Sequence, residues 1–276
     1  MLRCSSHAIP TKHLPDLKLA NILMSFENEN VLASFINQQR EQQMEYKIDS
    51  TAGRAVYRCH NDFGRIDGKE VKHMYPRITD FGLATRLDEP SAPARDGMVA
   101  QQLGLYPIQP DYYRAPEVIL GCGWDFKADI WNFGVLMWNI IGATELFQKV
   151  QDAQGQYDAK SHLAEIVALL GPPPKELLKR SNFMSQHDWP SPLITEEGNT
   201  YRNARECFGG PFFDAEGAFI DPDSVPIRNL EDTISFLEDK DRPAFLSFAR
   251  DMLAWDPAKR KTARELMDHP FLKLDK

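Results

Sequence analysis

"CHNDFGRIDGKEVKHMYPRITDFGLATR", Cys59 to Arg86, carries the triplet Asp-Phe-Gly twice, at Asp62 and again at Asp80. A carboxylate delivered to a crevice by a strand can hold a hard metal ion beside a phosphate, so the fold turns on whether either copy has that setting. Chance alone produces such a triplet in about one chain in twenty of this length, and the flanking residues must decide. The first copy lies in polar surroundings and runs into "RIDGKE" (65–70), a turn-like sequence; it is expected to be loop. The second follows "MYPRIT" (74–79), a short strand whose Pro76 places it at an edge or a strand start. Asp80 then stands at the strand's end.

Working outward, "NILMSF" (21–26) predicts another short strand, and from Glu27 to about Val71 the chain turns polar, with "ENEN" and "NQQREQQ". Residues 27–71 therefore read as a solvent-exposed insertion. Neither "GRIDGK" (64–69) nor "GCGW" (121–124) has the glycine spacing of a phosphate loop, and both read as turns. From Ala115 onward the pattern is helical. "WNFGVLMWNIIGA" (131–143) is too short and too interrupted by Asn132 and Asn139 to span a bilayer, and predicts a buried helix. "SHLAEIVALL" (161–170) has helical periodicity and stops at "GPPP", which cannot continue a helix. "PAFLSFARDMLAW" (243–255) repeats its apolar residues every three or four positions, and Thr262 with Glu265 in "TARE" forms a capping-box pattern. Residues 182–235, rich in Pro, Gly and Asn, form an irregular insert.

The totals bound the class. The 276 residues, 42% hydrophobic and 26% charged, describe an ordinary globular chain with ample material for a core. A net charge of -8 argues against direct nucleic-acid binding, which needs a basic face, and suits a basic partner. The four cysteines are scattered, with no Cys-x-x-Cys pair, so a disulfide framework and a zinc site are not expected and a reducing compartment, cytoplasm or nucleus, is the default. The opening "MLRCSSHAIPTKHLP" has no apolar core of signal-peptide length, and no membrane association is expected.

The chemistry-bearing residues lie upstream, in "HLPDLKLANIL" (13–23). Asp16 supplies a carboxylate able to accept a proton from a hydroxyl nucleophile. Lys18 supplies an ammonium for a migrating phosphoryl group, and Asn21 an amide oxygen for magnesium. So short a pattern is equally compatible with a polar surface loop.

The order "DLKLAN", "TDFGLA", "YYRAPE", "ADIWNFG", "WDPAKRKTA", "HPFL" resembles the C-terminal lobe of a eukaryotic protein kinase, from Asp16 to Leu272. The resemblance implies the protein kinase fold, here its mainly α-helical lobe with a few short strands across residues 1–276. It also implies ATP and Mg2+ as cofactors, with Asp16 as catalytic base, Lys18 as the phosphate-neutralising lysine, and Asn21 and Asp80 as metal ligands. It implies structural roles for Glu117, paired with Arg260, and for Asp129, holding the catalytic loop's backbone. "YYRAPE", "HLAEIVALLGPPP" and "GGPFFDAEGAF" are similar to serine/threonine kinases of the SR-protein-kinase type, most like fungal relatives. The implied partner is a protein substrate with Arg/Ser-rich segments.

Leu14 and Pro15 stand where the family carries His-Arg, and Pro110 stands where serine/threonine kinases usually carry a threonine bridging the catalytic Asp and Lys. No Gly-rich loop and no strand lysine precede Asp16, so the expectation is a chain lacking the small lobe and inactive alone. The competing expectation is a kinase-derived module that binds partners without catalysis.

Overall fold

The computed structural model describes residues 12–13, 17–42, 44–58, 62–66, 68–82, 84–87, 103–195 and 197–273. In chain order these form β1 (Lys12–His13), β2 (Ile22–Met24), α1 (Asn30–Glu41), β3 (Tyr46–Asp49), β4 (Arg54–Tyr57), β5 (Pro76–Ile78) and β6 (Thr85–Arg86). There follow α2 (Pro116–Ile119), α3 (Lys127–Gly142), α4 (Ala159–Leu170), α5 (Lys175–Met184), β7 (Leu193–Ile194), β8 (Thr200–Tyr201), α6 (Ala204–Phe208), α7 (Arg242–Arg250) and α8 (Ala263–Met267). The strands pair antiparallel in twos: β1 with β6, β2 with β5, β3 with β4, and β7 with β8. No helix among the described residues is long and apolar enough to cross a membrane.

Two compact bodies result, one of residues 20–79 and one of residues 1–19 with 80–276. In the smaller body β2 and β5 pair in the register Ile22 to Ile78, and Pro76 opens its strand, where the missing N–H costs least. The polar 27–71 stretch is more ordered than its composition suggests. Val31, Leu32, Phe35 and Ile36 recur at helical spacing in α1, and β3 and β4 form a hairpin whose turn is held by the Asp49 carboxylate on the amides of Thr51 and Ala52. The first triplet lies in a loop, where Asp62 accepts from the amide of Gly64 at 3.0 Å. Its Phe63 packs on Phe26 and Phe35 with ring centroids 4.9 and 4.7 Å apart. Among the described residues of this body only Asn21 is buried.

The larger body is built on α3. Trp131, Val135, Leu136 and Trp138 have no exposed surface, and Leu163 and Ile166 of α4 with Phe245 and Phe248 of α7 are buried with them. The Trp138 ring meets Phe245 edge-on at 5.0 Å, and Trp131 stacks on Phe147 at 6.1 Å. Gly134 lets α3 approach the chain after α7, since a Cβ there would lie 3.0 Å from Leu253 and Met252. Helix α4 begins at the Asp158 side chain, which accepts from the amide of Lys160, and ends at Gly171 before the three prolines.

The helix expected over 243–255 stops at Arg250. Beyond it the backbone oxygens are taken from outside: Asp251 accepts from the Lys261 amide at 2.9 Å and Ala254 from Arg260 Nε at 2.9 Å. Between 182 and 235 the chain is mostly irregular but includes the β7–β8 hairpin and α6. At α8 both halves of the capping box form, Thr262 accepting from the Glu265 amide and Glu265 from the Thr262 amide. Thr262→Ala is expected to lower stability by about 1 kcal/mol in urea titration, while Thr262→Ser, which keeps the oxygen, stays near wild type.

Candidate active site

Of the residues expected to carry chemistry, Asp16 lies outside the described residues, as do Leu14 and Pro15. Lys18 is half-buried, one residue after the buried Leu17. Asn21 ends a 3-10 turn at Leu19–Asn21, is 8% exposed, and its carbonyl accepts from both the amide (2.8 Å) and the hydroxyl (3.2 Å) of Thr79. The β2–β5 pairing thus anchors Asn21 on the residue that precedes Asp80 in sequence. Asp80 opens the larger body with φ 60, a left-handed conformation uncommon for a residue with a Cβ, and its side chain is exposed. Asp80 and Asn21 offer hard oxygens, the donor type that suits magnesium. Among the described residues no group of three His, Cys, Asp or Glu is arranged to hold a metal. Magnesium needs no such cage, because it takes one or two protein oxygens and fills its shell with water and phosphate.

The segment leading to Glu117 is held by residues to which sequence reasoning gave no role. Gln109, buried and also left-handed at φ 72, donates through Nε2 to the Ala128 carbonyl at 2.9 Å and accepts through Oε1 from the Ala115 amide at 2.8 Å. Tyr113 donates to Asn139 on α3 at 2.8 Å, and burial, then Glu145, push its pKa up to about 12. Arg114, noted in the sequence only as a subgroup marker, donates to the carbonyls of Ile108 and Gln109 and pairs with Asp111 at 3.0 Å. Its guanidinium lies over the rings of Tyr157 (4.1 Å) and Phe208 (5.4 Å), which fastens the segment to the chain before α4 and to α6.

Glu117 and Arg260 meet in a bidentate pair, both nitrogen–oxygen distances 2.6 Å and both side chains without exposed surface. Arg260 also donates to the carbonyls of Ala254 and Lys127, each at 2.9 Å, and lies 5.1 Å from the centre of the Trp131 ring. Asp129, in the first turn of α3, is half-buried. Glu117→Ala is expected to destabilise the fold by about 3 to 5 kcal/mol, because it strands a buried guanidinium. A loss under 1 kcal/mol in urea titration would show that the charge escapes to water.

Beneath Arg114, His162 is fully buried, its Nδ1 hydrogen-bonded to the Tyr157 hydroxyl at 3.0 Å and its ring edge-on to Phe147. Burial, and secondarily the charge of Arg114, push its pKa down to about 3, so the fold holds it neutral. The unfolded chain, with an ordinary histidine pKa of about 6.5, binds a proton that the folded chain refuses. This contribution is complete above about pH 6.5 and is lost as pH falls towards 3, by at most about 1.4 kcal/mol per pH unit. Between pH 6 and 4 the urea midpoint of the wild type is expected to fall more steeply than that of His162→Gln; equal slopes would mean that His162 takes a proton inside the fold.

Comparison with known proteins gives a consistent result. The protein kinase domain model matches residues 66–272, so Asp16, Lys18 and Asn21 precede the matched stretch. A serine/threonine protein kinase of Aspergillus fumigatus is 34% identical over 226 residues, 82% of this chain and 46% of that protein. Serine/threonine-protein kinase AFC3 of Arabidopsis thaliana is 29% identical over 60% of this chain and 36% of its own length. Dual specificity protein kinase CLK2 of Mus musculus is 26% identical over 74% of this chain and 33% of its own length. The chain spans less than half the length of these curated relatives. A crystal structure of a kinase domain shares the fold at a TM-score of 0.52 with 21% identity, over 95% of this chain and 60% of that one.

Proposed function

The chain belongs to the protein kinase family, and from that premise we propose that it serves transfer of the γ-phosphoryl group of Mg-ATP to serine hydroxyls in Arg/Ser-rich proteins. The observation that carries this reading is Asp80: a carboxylate held exposed in a strained backbone directly after the β2–β5 pair, in the sequence "TDFGLA". In this reading the family resemblance makes Asn21 and Asp80 the residues that would each offer an oxygen to magnesium, which would neutralise phosphate charge when bound. Asp16 orients the serine hydroxyl and accepts its proton, and Lys18 offsets the charge on the phosphoryl oxygens. The buried supports at Gln109, Tyr113 and Glu117 keep the substrate-side segment in one conformation. The substrate class rests on the resemblance of "YYRAPE" and "HLAEIVALLGPPP" to SR-protein-type kinases, and the net charge of -8 favours an arginine-rich partner.

A second reading has a specific observation behind it. Pro110 follows the left-handed Gln109 in an extended conformation, φ -62 and ψ 153, and offers no hydroxyl to Asp16 or Lys18. That substitution favours a kinase-derived module that binds basic segments without catalysis. Incubation with Mg-ATP and an Arg/Ser peptide separates the readings. If the chain is a kinase, the transfer rate falls about 100-fold or more in Asp16→Asn and in Asp80→Asn, while peptide affinity is retained. Peptide binding with no transfer would establish the module, and transfer that is indifferent to both substitutions would reveal a contaminant.

A further inference from the structure

The approach to the Gln109–Glu117 segment is strapped to the 182–235 insert by one tyrosine. The Tyr106 hydroxyl donates to the Ser191 carbonyl at 2.9 Å and accepts from the Ser191 amide at 3.0 Å. Its ring packs on the buried Trp189, centroids 5.1 Å apart, and its own carbonyl accepts from Trp124 Nε1 at 2.8 Å. Two residues earlier Gly104 exchanges both backbone hydrogen bonds with Trp124, at an approach so close that a Cβ would lie 2.1 Å from the indole. Residues 104–106 are thus fixed to Trp124 on one side and to residues 189–191 on the other.

Ser191 is exposed and stands in "WPSP" (189–192). Ser191-Pro192 is the sole Ser-Pro or Thr-Pro dipeptide in the sequence. The prolines bias Trp189 and Ser191 to extended backbone. The latch uses only the backbone of Ser191, and among the described residues no hydrogen bond to its hydroxyl is found.

We propose that Ser191 is a phosphorylation site for a proline-directed protein kinase, and that its modification opens the Tyr106 latch and frees the run into the Gln109–Glu117 segment. In the modifying step the Ser191 oxygen forms a bond to the γ-phosphorus of ATP. The bond from that phosphorus to the β,γ-bridging oxygen breaks, ADP leaves, and the hydroxyl proton passes to the modifying kinase's base. The product carries a charge of about -1.5 to -2 and strong acceptor oxygens on the residue whose backbone forms the latch. The local charge gives it no welcome. Asp188 lies three residues away, and Arg202, whose carbonyl accepts from the Trp189 amide, is already committed to Glu206 at 2.7 and 3.1 Å. The donor nearest in sequence is the Ser191 amide itself, which the phosphate takes from Tyr106.

This inference holds whether or not the chain itself transfers phosphate, and its test does not read that activity. The full chain is treated with a purified proline-directed kinase and Mg-ATP, the phosphate is mapped by mass spectrometry, and amide hydrogen exchange is followed over residues 103–107. Phosphate is expected on Ser191, with exchange there about tenfold faster than in the unmodified chain. Tyr106→Phe should give the same acceleration without phosphate, and Ser191→Ala should block both modification and acceleration. No phosphate on Ser191, or phosphate there with exchange over 103–107 unchanged, overturns the proposal. Unaltered exchange in Tyr106→Phe overturns the latch itself.

Discussion

The Glu117–Arg260 pair is the constraint on which the larger body depends. Taking both charges out of water is costly, and an apolar pair of the same shape is often as stable, so the pair's value lies in position. Helix α2 has four residues, too few to sustain itself by its own hydrogen bonds. It stays where it is because Arg260 grips Glu117 with two nitrogens while holding Ala254 and Lys127 with the rest of its donors. One guanidinium therefore sets the distance between α2, the start of α3 and the chain after α7. The early end of α7 belongs to the same arrangement, since the Ala254 carbonyl serves Arg260 instead of a helix.

From α2 the order propagates backward along the chain. Tyr113, Arg114 and Gln109 are each fixed by a different physical means: a phenol on a side-chain amide of α3, a guanidinium between carbonyls and two aromatic rings, and a side-chain amide bridging two backbone groups. Because Gln109 satisfies both Ala115 and Ala128, its left-handed backbone is over-determined and Pro110 can follow it in an extended conformation. The anchors become more exposed towards Tyr106, whose bonds lie at the surface.

What was legible in the sequence is what local physics decides. The buried α3, the arrest of α4 at three prolines and the Thr262–Glu265 capping box follow from periodicity and from donors needing acceptors, and the Glu117–Arg260 pairing came with the motif order. The rest was hidden for identifiable reasons. Helix α1 has its four large apolar residues, Val31, Leu32, Phe35 and Ile36, at helical spacing, but they sit between runs of Asn, Gln and Glu, and the stretch averages out as polar. Phe63 gives the first triplet a packing role that only contact with Phe26 and Phe35 displays. Gln109 reaches the Ala128 carbonyl, Tyr106 the backbone of Ser191, and Arg114 the rings of Tyr157 and Phe208, and no spacing rule announces such contacts. Asp16 stands outside the described residues, so its place in the site rests on motif order alone.

Of the three left-handed residues other than glycine among the described residues, Gln109 and Asp80 differ in a way that bears on function. At Gln109 the strained backbone is matched by two buried hydrogen bonds, and the fold alone accounts for it. At Asp80 the side chain is exposed, and no hydrogen bond to its carboxylate is found among the described residues. Strain of this kind persists when neighbours over-determine it or when selection acts on what the side chain faces. The strand pairing that bonds Thr79 to Asn21 fixes the chain up to Asp80 but supplies no partner for its carboxylate. In the function proposed, the partner would be a magnesium ion, and the conformation of Asp80 would present its carboxylate to that ion in advance.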